Sequence, residues 1–187
     1  MQFPTHLVQL RTTTALGPAR LVASPAGLAG VWFEGQRHEP ASRLNGPTAW
    51  AEAPGHPLLQ EAARQLQHYL TGQRTAFELP LDLTMGTPFQ QAVWRALLEI
   101  GRGATTSYGA LSQQLGRPLA VRAVGAAVGR NPLSVVVPCH RAVGANGSLT
   151  GYAGGLDRKS ALLALEARPG GTRTTTTATT ASKEMHA

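Results

Sequence analysis

The chain of 187 residues holds one cysteine, Cys139, in the run Val135-Val136-Val137-Pro138-Cys139-His140-Arg141. One thiol forms no internal disulfide and no cysteine-rich zinc site, so it is either a small apolar filler or a reactive group. A thiol attacks only as thiolate, and a free cysteine holds its proton up to about pH 8.5. Burial behind three valines raises that value further. A reactive reading therefore needs a nearby base or positive charge. His140 is adjacent, and Arg141 and Lys159 are candidate helpers. Glu166, a rare acid in its half of the chain, could orient His140 as carboxylates do in catalytic triads. Neighbours in a strand point to opposite faces, but Pro138 predicts a turn, so a water bridge from His140 to Cys139 is as open as direct contact. On residues alone, Pro-Cys-His-Arg also suits a thiol hydrolase or a structural cysteine.

The elements around this motif are legible from periodicity and punctuation. An apolar run over 133–137 predicts a short strand stopped by Pro138. A Gly-rich loop spans 144–155, and a final helix is predicted over 156–167 with Leu162, Leu163 and Leu165 toward the core. Upstream, Thr87-Pro88 opens a helix with Thr87 as N-cap and Gln90 at the capping-box position. Phe89, Val93, Trp94, Leu97 and Leu98 form its apolar face. Ser107 caps a short helix over 108–115 that stops at Gly116, and Pro118 restarts a helix to about Arg130. Two short helices joined by a tight Gly-containing turn predict a helix-turn-helix. The second is rich in small residues, among them Ala120, Ala123, Gly125, Ala126, Ala127 and Gly129. Each glycine weakens a helix by ~1 kcal/mol against alanine, so close approach of another backbone or tight packing on a neighbouring helix is required to justify them.

The first half reads differently. Strands are predicted over 7–10, 21–24 and 28–33, then a Pro- and Gly-rich stretch over 35–57, a helix over 58–70 and a last strand over 77–83. Leu58, Leu59, Ala62, Ala63, Leu66, Tyr69 and Leu70 mark the helix's apolar face. No catalytic constellation stands out here, and His6, His38, His56 and His68 read as surface residues rather than ligands. The predicted architecture is thus a small α/β domain over 1–84, a sheet plus a helix, followed by a mainly α domain with a helix-turn-helix over 85–168. The Thr/Ala-rich tail over 169–187 reads as disordered.

The net charge is +7, and its placement is informative. Residues 1–84 net zero, residues 85–168 net +6, and the tail adds +1. A basic half fits a surface that meets phosphates, with a solvated basic face as the plainer alternative. No apolar run approaches the ~20 residues of a membrane span, and the N-terminus lacks the pattern of a secretory signal, so the expectation is a cytoplasmic protein with access to the nucleoid.

The motifs then converge on a known family. Asn131-Pro132, Val137-Pro138-Cys139-His140-Arg141 and Tyr152-Ala153-Gly154-Gly155-Leu156 resemble the reactive block of the O6-alkylguanine-DNA alkyltransferases, bacterial type. Thr87-Pro88-Phe89-Gln90, Val93-Trp94, Thr106-Ser107-Tyr108-Gly109 and Ala120-Val121-Arg122-Ala123-Val124-Gly125 resemble the family's upstream motifs in the same order. The resemblance covers residues 85–168 and is much weaker in the first half. It implies repair of DNA by a single irreversible transfer, in which Cys139 takes the alkyl group from O6-alkylguanine, with O4-alkylthymine as a further candidate. His140 would take the thiol proton through a water, with Glu166 orienting it and Lys159 near the sulfur. The second helix of the helix-turn-helix would enter the minor groove, which is only ~6 Å wide and gives the small residues a purpose. Arg122 would fill the gap left by a flipped guanine, flanked by Ala123, Gly125, Ala126 and Arg130 on the DNA side. Flipping is needed because sulfur must meet the alkyl carbon in line, which a stacked base prevents. Tyr108 would hydrogen-bond the flipped base and help it leave. Asn131 would tie the DNA-binding helices to the reactive turn, and Ala142, Tyr152, Ala153 and Gly154 would form the base pocket. The expected protein is a monomer whose transfer needs no cofactor or metal; some relatives hold zinc through cysteines of the first domain, and the absence of cysteine from residues 1–84 predicts no structural zinc here.

Two departures stand out. Ser134 occupies a position where many relatives carry proline, and Ala153 one where some carry serine. Rival readings are a helix-turn-helix regulator with an incidental cysteine, a cysteine hydrolase, and a protein that binds lesions without repairing them.

Overall fold

The computed structural model describes Phe3 and residues 6–168. The disorder expected of the tail over 169–187 concerns residues outside that described part.

An antiparallel meander opens the chain: β1 (Val8–Thr14), β2 (Gly17–Ser24) and β3 (Gly27–Phe33). A one-turn helix α1 (Ala41–Leu44) leads to β4 (Ala51–Glu52), which pairs parallel to β1 and completes the order β3-β2-β1-β4. Helix α2 (Pro57–Leu70) covers one face. Its Leu59, Ala62, Leu66 and Tyr69 join Leu21, Leu28, Val31 and Phe33 of the sheet in the main core. The other face buries Val22, Ala29 and Trp32 under Leu7, Leu44 and Met85. Covered on both faces, β3 is buried along its whole length. Strand β1 runs further than its apolar residues predict, because Thr12, Thr13 and Thr14 are β-branched and continue the ladder without being apolar.

The second half is helical. Helix α3 (Pro88–Leu98) begins with the expected capping box between Thr87 and Gln90. It is followed by β5 (Thr106–Ser107), α4 (Tyr108–Gln114), α5 (Val121–Gly129), β6 (Ala142–Val143) and α6 (Leu156–Glu166). Strands β5 and β6 form a two-residue parallel pair that places the start of α4 beside the chain leaving Cys139. The Trp94 indole donates to the Ala127 carbonyl at 2.9 Å, locking α3 to α5.

Several expectations need correction. Helix α5 starts at Val121 rather than Pro118, because the Ala120 amide closes a turn on the Arg117 carbonyl first. Leu98 of α3 is exposed, and in α6 only Leu162 of the three expected leucines is fully buried. The segment 77–83 is not a strand. Pro80 has no amide to give a ladder, and a single bridge joins Leu81 to Leu28. The run 133–137 is not a strand either. It makes isolated bridges only, and Val135 sits at φ 72°, a conformation that strains a β-branched residue. Its apolar composition reflects burial on all sides, not a pleated ladder.

These two irregular segments dock along β3. The Leu28 amide donates to Pro80 and the Asp82 amide to the Leu28 carbonyl, both at 2.8 Å. The Val31 amide donates to Pro132 at 2.8 Å, and Ser134 returns a bond to Val31 at 3.0 Å. The segment leading to Cys139 is therefore hung on the edge of the N-terminal sheet.

Candidate active site

Pro138 ends the strained run, and Cys139–Arg141 form one turn of 3-10 helix. The turn is held from upstream by Asn131, just past the end of α5. The Asn131 amide donates to the Val137 carbonyl at 2.9 Å and to Cys139 Sγ at 3.0 Å, and its Oδ1 accepts from the Leu133 amide at 3.0 Å. One side chain thus fixes both the approach to the cysteine and the sulfur itself. The turn is held from downstream by α6. Lys159 is fully buried, and its Nζ donates to the Ala142 carbonyl at 2.6 Å and the Thr150 carbonyl at 2.8 Å.

His140 is fully buried, and its Nε2 lies 2.6 Å from Glu166 Oε1. Arg141 grips the same carboxylate from the side, with Nε 2.8 Å from Oε2 and Nη2 3.1 Å from Oε1. Tyr69 of α2 donates its hydroxyl to Oε1 as well. Burial alone would raise the Glu166 pKa, but the bonds from His140 and Arg141 overcome it and hold the group well below the carboxylate range. Glu166 is therefore an anion. Burial lowers the His140 pKa despite that anion, so the imidazole is neutral near pH 7. A neutral ring facing a carboxylate with Nε2 carries its proton there, which leaves Nδ1 as the basic nitrogen. Nδ1 has no protein partner.

Cys139 is 4 % exposed. Burial pushes its thiol up to about 11, against the opposing influence of the Asn131 amide and the Lys159 charge. The resting group is thus a thiol beside a neutral imidazole, an arrangement that can release a nucleophile only when a proton moves. No direct hydrogen bond joins the two side chains, so a proton would pass between them by a bridging water.

Next to this turn lies a cavity of about 500 Å³. Tyr108, Arg122, Gly125, Ala126, Arg130, Tyr152 and Ala153 line it, as do Arg37 and His38 from the first half. The Tyr152 ring also stands edge-on to His140 at 6.5 Å, which places the cavity against the reactive turn. The Tyr108 hydroxyl donates to the Thr150 carbonyl at 3.2 Å across the cavity mouth. Arg122, Gly125, Ala126 and Gly129 follow helical spacing along one face of α5. An added Cβ on Gly125 would meet only Tyr108, at 3.8 Å, and one on Gly129 would meet nothing within 4 Å. Tight packing on a neighbouring helix therefore does not explain these glycines. They keep an open face low.

Of the residues expected on the DNA side or in the base pocket, three are not on the cavity wall, and the buried Cys139, His140, Asn131, Lys159 and Glu166 lie behind it rather than on it. Ala123 is exposed but lies off the face shared by Arg122, Gly125 and Ala126, because its position turns it away along the helix. Ala142 is fully buried behind the wall. Gly154 lies beneath Tyr152, where a Cβ would come within 2.7 Å of the ring. Conversely, sequence reasoning missed Tyr69, Arg37 and His38, all in the half without an evident constellation, and cast Arg141 as a helper of the cysteine rather than a clamp on Glu166. A polar tip on an otherwise aliphatic helix face was the available signal for Tyr69, since buried tyrosine hydroxyls need partners. Among the described residues, no group of three or more His, Cys, Asp or Glu is placed to hold a metal ion, and no helix is long and apolar enough to cross a membrane.

Residues 88–168 match the family described as 6-O-methylguanine DNA methyltransferase, DNA binding domain, and residues 11–83 match its ribonuclease-like domain. A methylated-DNA–protein-cysteine methyltransferase of Mycobacterium tuberculosis is 45% identical over 161 residues, covering 86% of this chain and 93% of the relative. A protein of the same name from Methanosarcina acetivorans is 44% identical over 152 residues, covering 81% of this chain and 92% of the relative. The crystal structure of Mycobacterium tuberculosis OGT in complex with DNA superposes with a TM-score of 0.74 at 42% identity, covering 87% of this chain and 93% of that one.

Proposed function

We propose, from the premise that this chain belongs to the 6-O-methylguanine DNA methyltransferase family, that it repairs DNA by moving the alkyl group of O6-alkylguanine onto its own Cys139. The observation that carries this reading is the neutral His140, locked to Glu166 through Nε2 and open at Nδ1, in the same 3-10 turn as the buried thiol.

The roles that the family resemblance implies are compatible with this geometry. Duplex DNA docks its minor groove on the low face of α5, where Gly125 and Ala126 allow close approach, with Arg130 toward the phosphates. Arg122 takes the space of the departing nucleotide, and the flipped guanine enters the cavity beside Tyr152 and Ala153. The thiol proton passes through a water to His140 Nδ1, and Glu166 stabilises the imidazolium that forms. Sulfur then attacks the alkyl carbon as the bond from that carbon to O6 breaks, its electron pair going to the guanine. Tyr108 gives up its bond to Thr150, donates to the base and passes it the phenolic proton as the carbon–O6 bond breaks, so that the guanine leaves neutral; the phenol regains a proton from water as the His140 imidazolium releases its own to solvent. The thioether product has no simple route back, so each molecule acts once. Lys159 and Asn131 keep the two walls of the reactive turn in place.

Residues 1–84 act as a supporting module and residues 85–168 as the reactive and DNA-binding one, in a monomer that works in the cytoplasm at the nucleoid. O4-alkylthymine is a second candidate substrate, since it presents an alkyl group on an equivalent exocyclic oxygen.

Intact mass after mixing with duplex DNA containing O6-methylguanine tests the reading. The expected result is a stoichiometric gain of one methyl group on the peptide that carries Cys139, and none in Cys139→Ser. An unchanged mass for the unaltered protein would overturn it in favour of a lesion binder or a regulator.

A further inference from the structure

We infer that Tyr69, on α2 of the N-terminal half, is a positioning residue for the transfer: its hydroxyl holds the carboxylate oxygen of Glu166 that His140 uses. The inference rests on the reading of Cys139 and His140 given above and adds a residue from outside the reactive half.

Oxygen Oε1 of Glu166 accepts from three side chains, the Tyr69 hydroxyl, His140 Nε2 and Arg141 Nη2, whereas Oε2 is shared by Arg141 Nε and the more distant Gly103 amide. The Tyr69 hydroxyl also accepts from Arg141 Nη2 at 3.1 Å. Tyr69 is 2 % exposed, and its ring stacks on Phe77 at 4.7 Å. The ring fills the core as phenylalanine would. The hydroxyl does something else: it crosses from the helix over the N-terminal sheet to the end of α6.

The consequence is electrostatic as well as geometric. Tyr69 and His140 draw on the same negative oxygen. Each hydrogen bond to Oε1 takes part of the charge available to the other, so the strength of the phenol's bond sets how basic the imidazole is. Burial and then the Glu166 bond push the Tyr69 hydroxyl up to about 12, which keeps it a donor across the working range. The other groups around His140 are Arg141 in the same turn, Lys159 on α6, Cys139 beside it and Tyr152 edge-on. Of these only Arg141 touches the Tyr69 hydroxyl, and in Tyr69→Phe its Nη2 keeps the bond to Glu166 Oε1 and its Nε the bond to Oε2.

Two substitutions move the bond in opposite directions while keeping the ring. Tyr69→Phe removes it, and replacement of Tyr69 by 3-fluorotyrosine, a more acidic phenol, strengthens it. The measurement is the first-order rate of methyl transfer to Cys139 against pH, with affinity for undamaged duplex measured alongside. In Tyr69→Phe the acid limb should move up by roughly half a pH unit as His140 becomes more basic. The rate at its plateau should fall about three- to tenfold as Glu166 loses one anchor, with duplex affinity unchanged. The fluorinated protein should move the acid limb the other way. A slowing uniform in pH, or acid limbs that coincide in all three proteins, would overturn the inference. If Tyr69→Phe fails to fold, the fluorinated protein alone decides the matter by the direction of its limb. Failure of the unaltered protein to take up methyl would instead sink the reading of Cys139 itself.

Discussion

The two sides of the reactive turn are built on opposite principles. Behind it, Glu166, Arg141, His140, Tyr69 and Lys159 are buried and nearly every polar atom is spoken for. In front, the face of α5 carries glycines with empty space beside them and exposed arginines, Arg122 and Arg130. The rear is arranged to move nothing except one proton. The front is arranged to be completed by something else. The contrast teaches that rigidity and openness are separated in space: the residues that hold the turn are not those that line the open face.

Breaking the rear should have the largest effect. Glu166→Gln leaves Arg141 buried against a neutral amide and His140 without its anion. Removing one member of a buried pair costs ~3–5 kcal/mol, and we expect a clear fall in the urea unfolding midpoint. Transfer should slow by ~10²-fold or more, the contribution of a well-placed acid–base partner. Acid is a milder form of the same break, and the signs can be worked out. His140 has a folded pKa below its ordinary 6.5, so the unfolded chain takes a proton first and stability starts to fall as pH drops through that value. Glu166 is held below its ordinary 4.5, so its contribution is complete above that pH and is lost as pH falls toward the folded value. Unfolding midpoints across this range should show both stages, with the lower one absent in Glu166→Gln.

Breaking the front should spare the fold. Arg122→Ala is expected to slow transfer from duplex DNA roughly tenfold or more, the effect of losing ~1.4 kcal/mol of help with flipping. Transfer from free O6-methylguanine should change little, and the melting temperature should stay where it is. Equal slowing with both substrates would remove the distinction between the two sides. The smallest and sharpest test is Gly125→Ala. The added methyl meets only ordinary contact with Tyr108 and raises helix propensity, so stability should increase by up to ~1 kcal/mol while duplex binding weakens a few-fold. Parallel thermal melts and fluorescence anisotropy would read the two changes in one protein. A tighter complex would mean that the low face is not where DNA lies.

The sequence made the second half more legible than the first. Thr87 with Gln90, Ser107 with Gly116, and Pro138 before Cys139 are local signals, and each marks a boundary within one turn of chain. Reasoning from apolar runs failed where burial had another cause: the run 133–137 is apolar because it is enclosed, and Val135 takes a conformation that no propensity anticipates. Two-residue strands such as β5 and β6 carry no periodicity to detect. For the site, adjacency in the chain brought Cys139, His140 and Arg141 together, whereas Tyr69 reaches Glu166 across 97 positions and can be found only once the halves are folded together. Arg37 and His38 sit at the cavity for the same reason, and their net-neutral half concealed them.

The hydrogen bonds that suspend the segment before Cys139 from β3 have one more effect. They occupy an outer strand that would otherwise offer bare amides and carbonyls, flanked on both faces by apolar side chains, to any passing polypeptide. The segment that leads to the nucleophile is thus also a guard against self-association. A molecule severed between its halves would lose its chemistry and, by the same cut, gain an adhesive border.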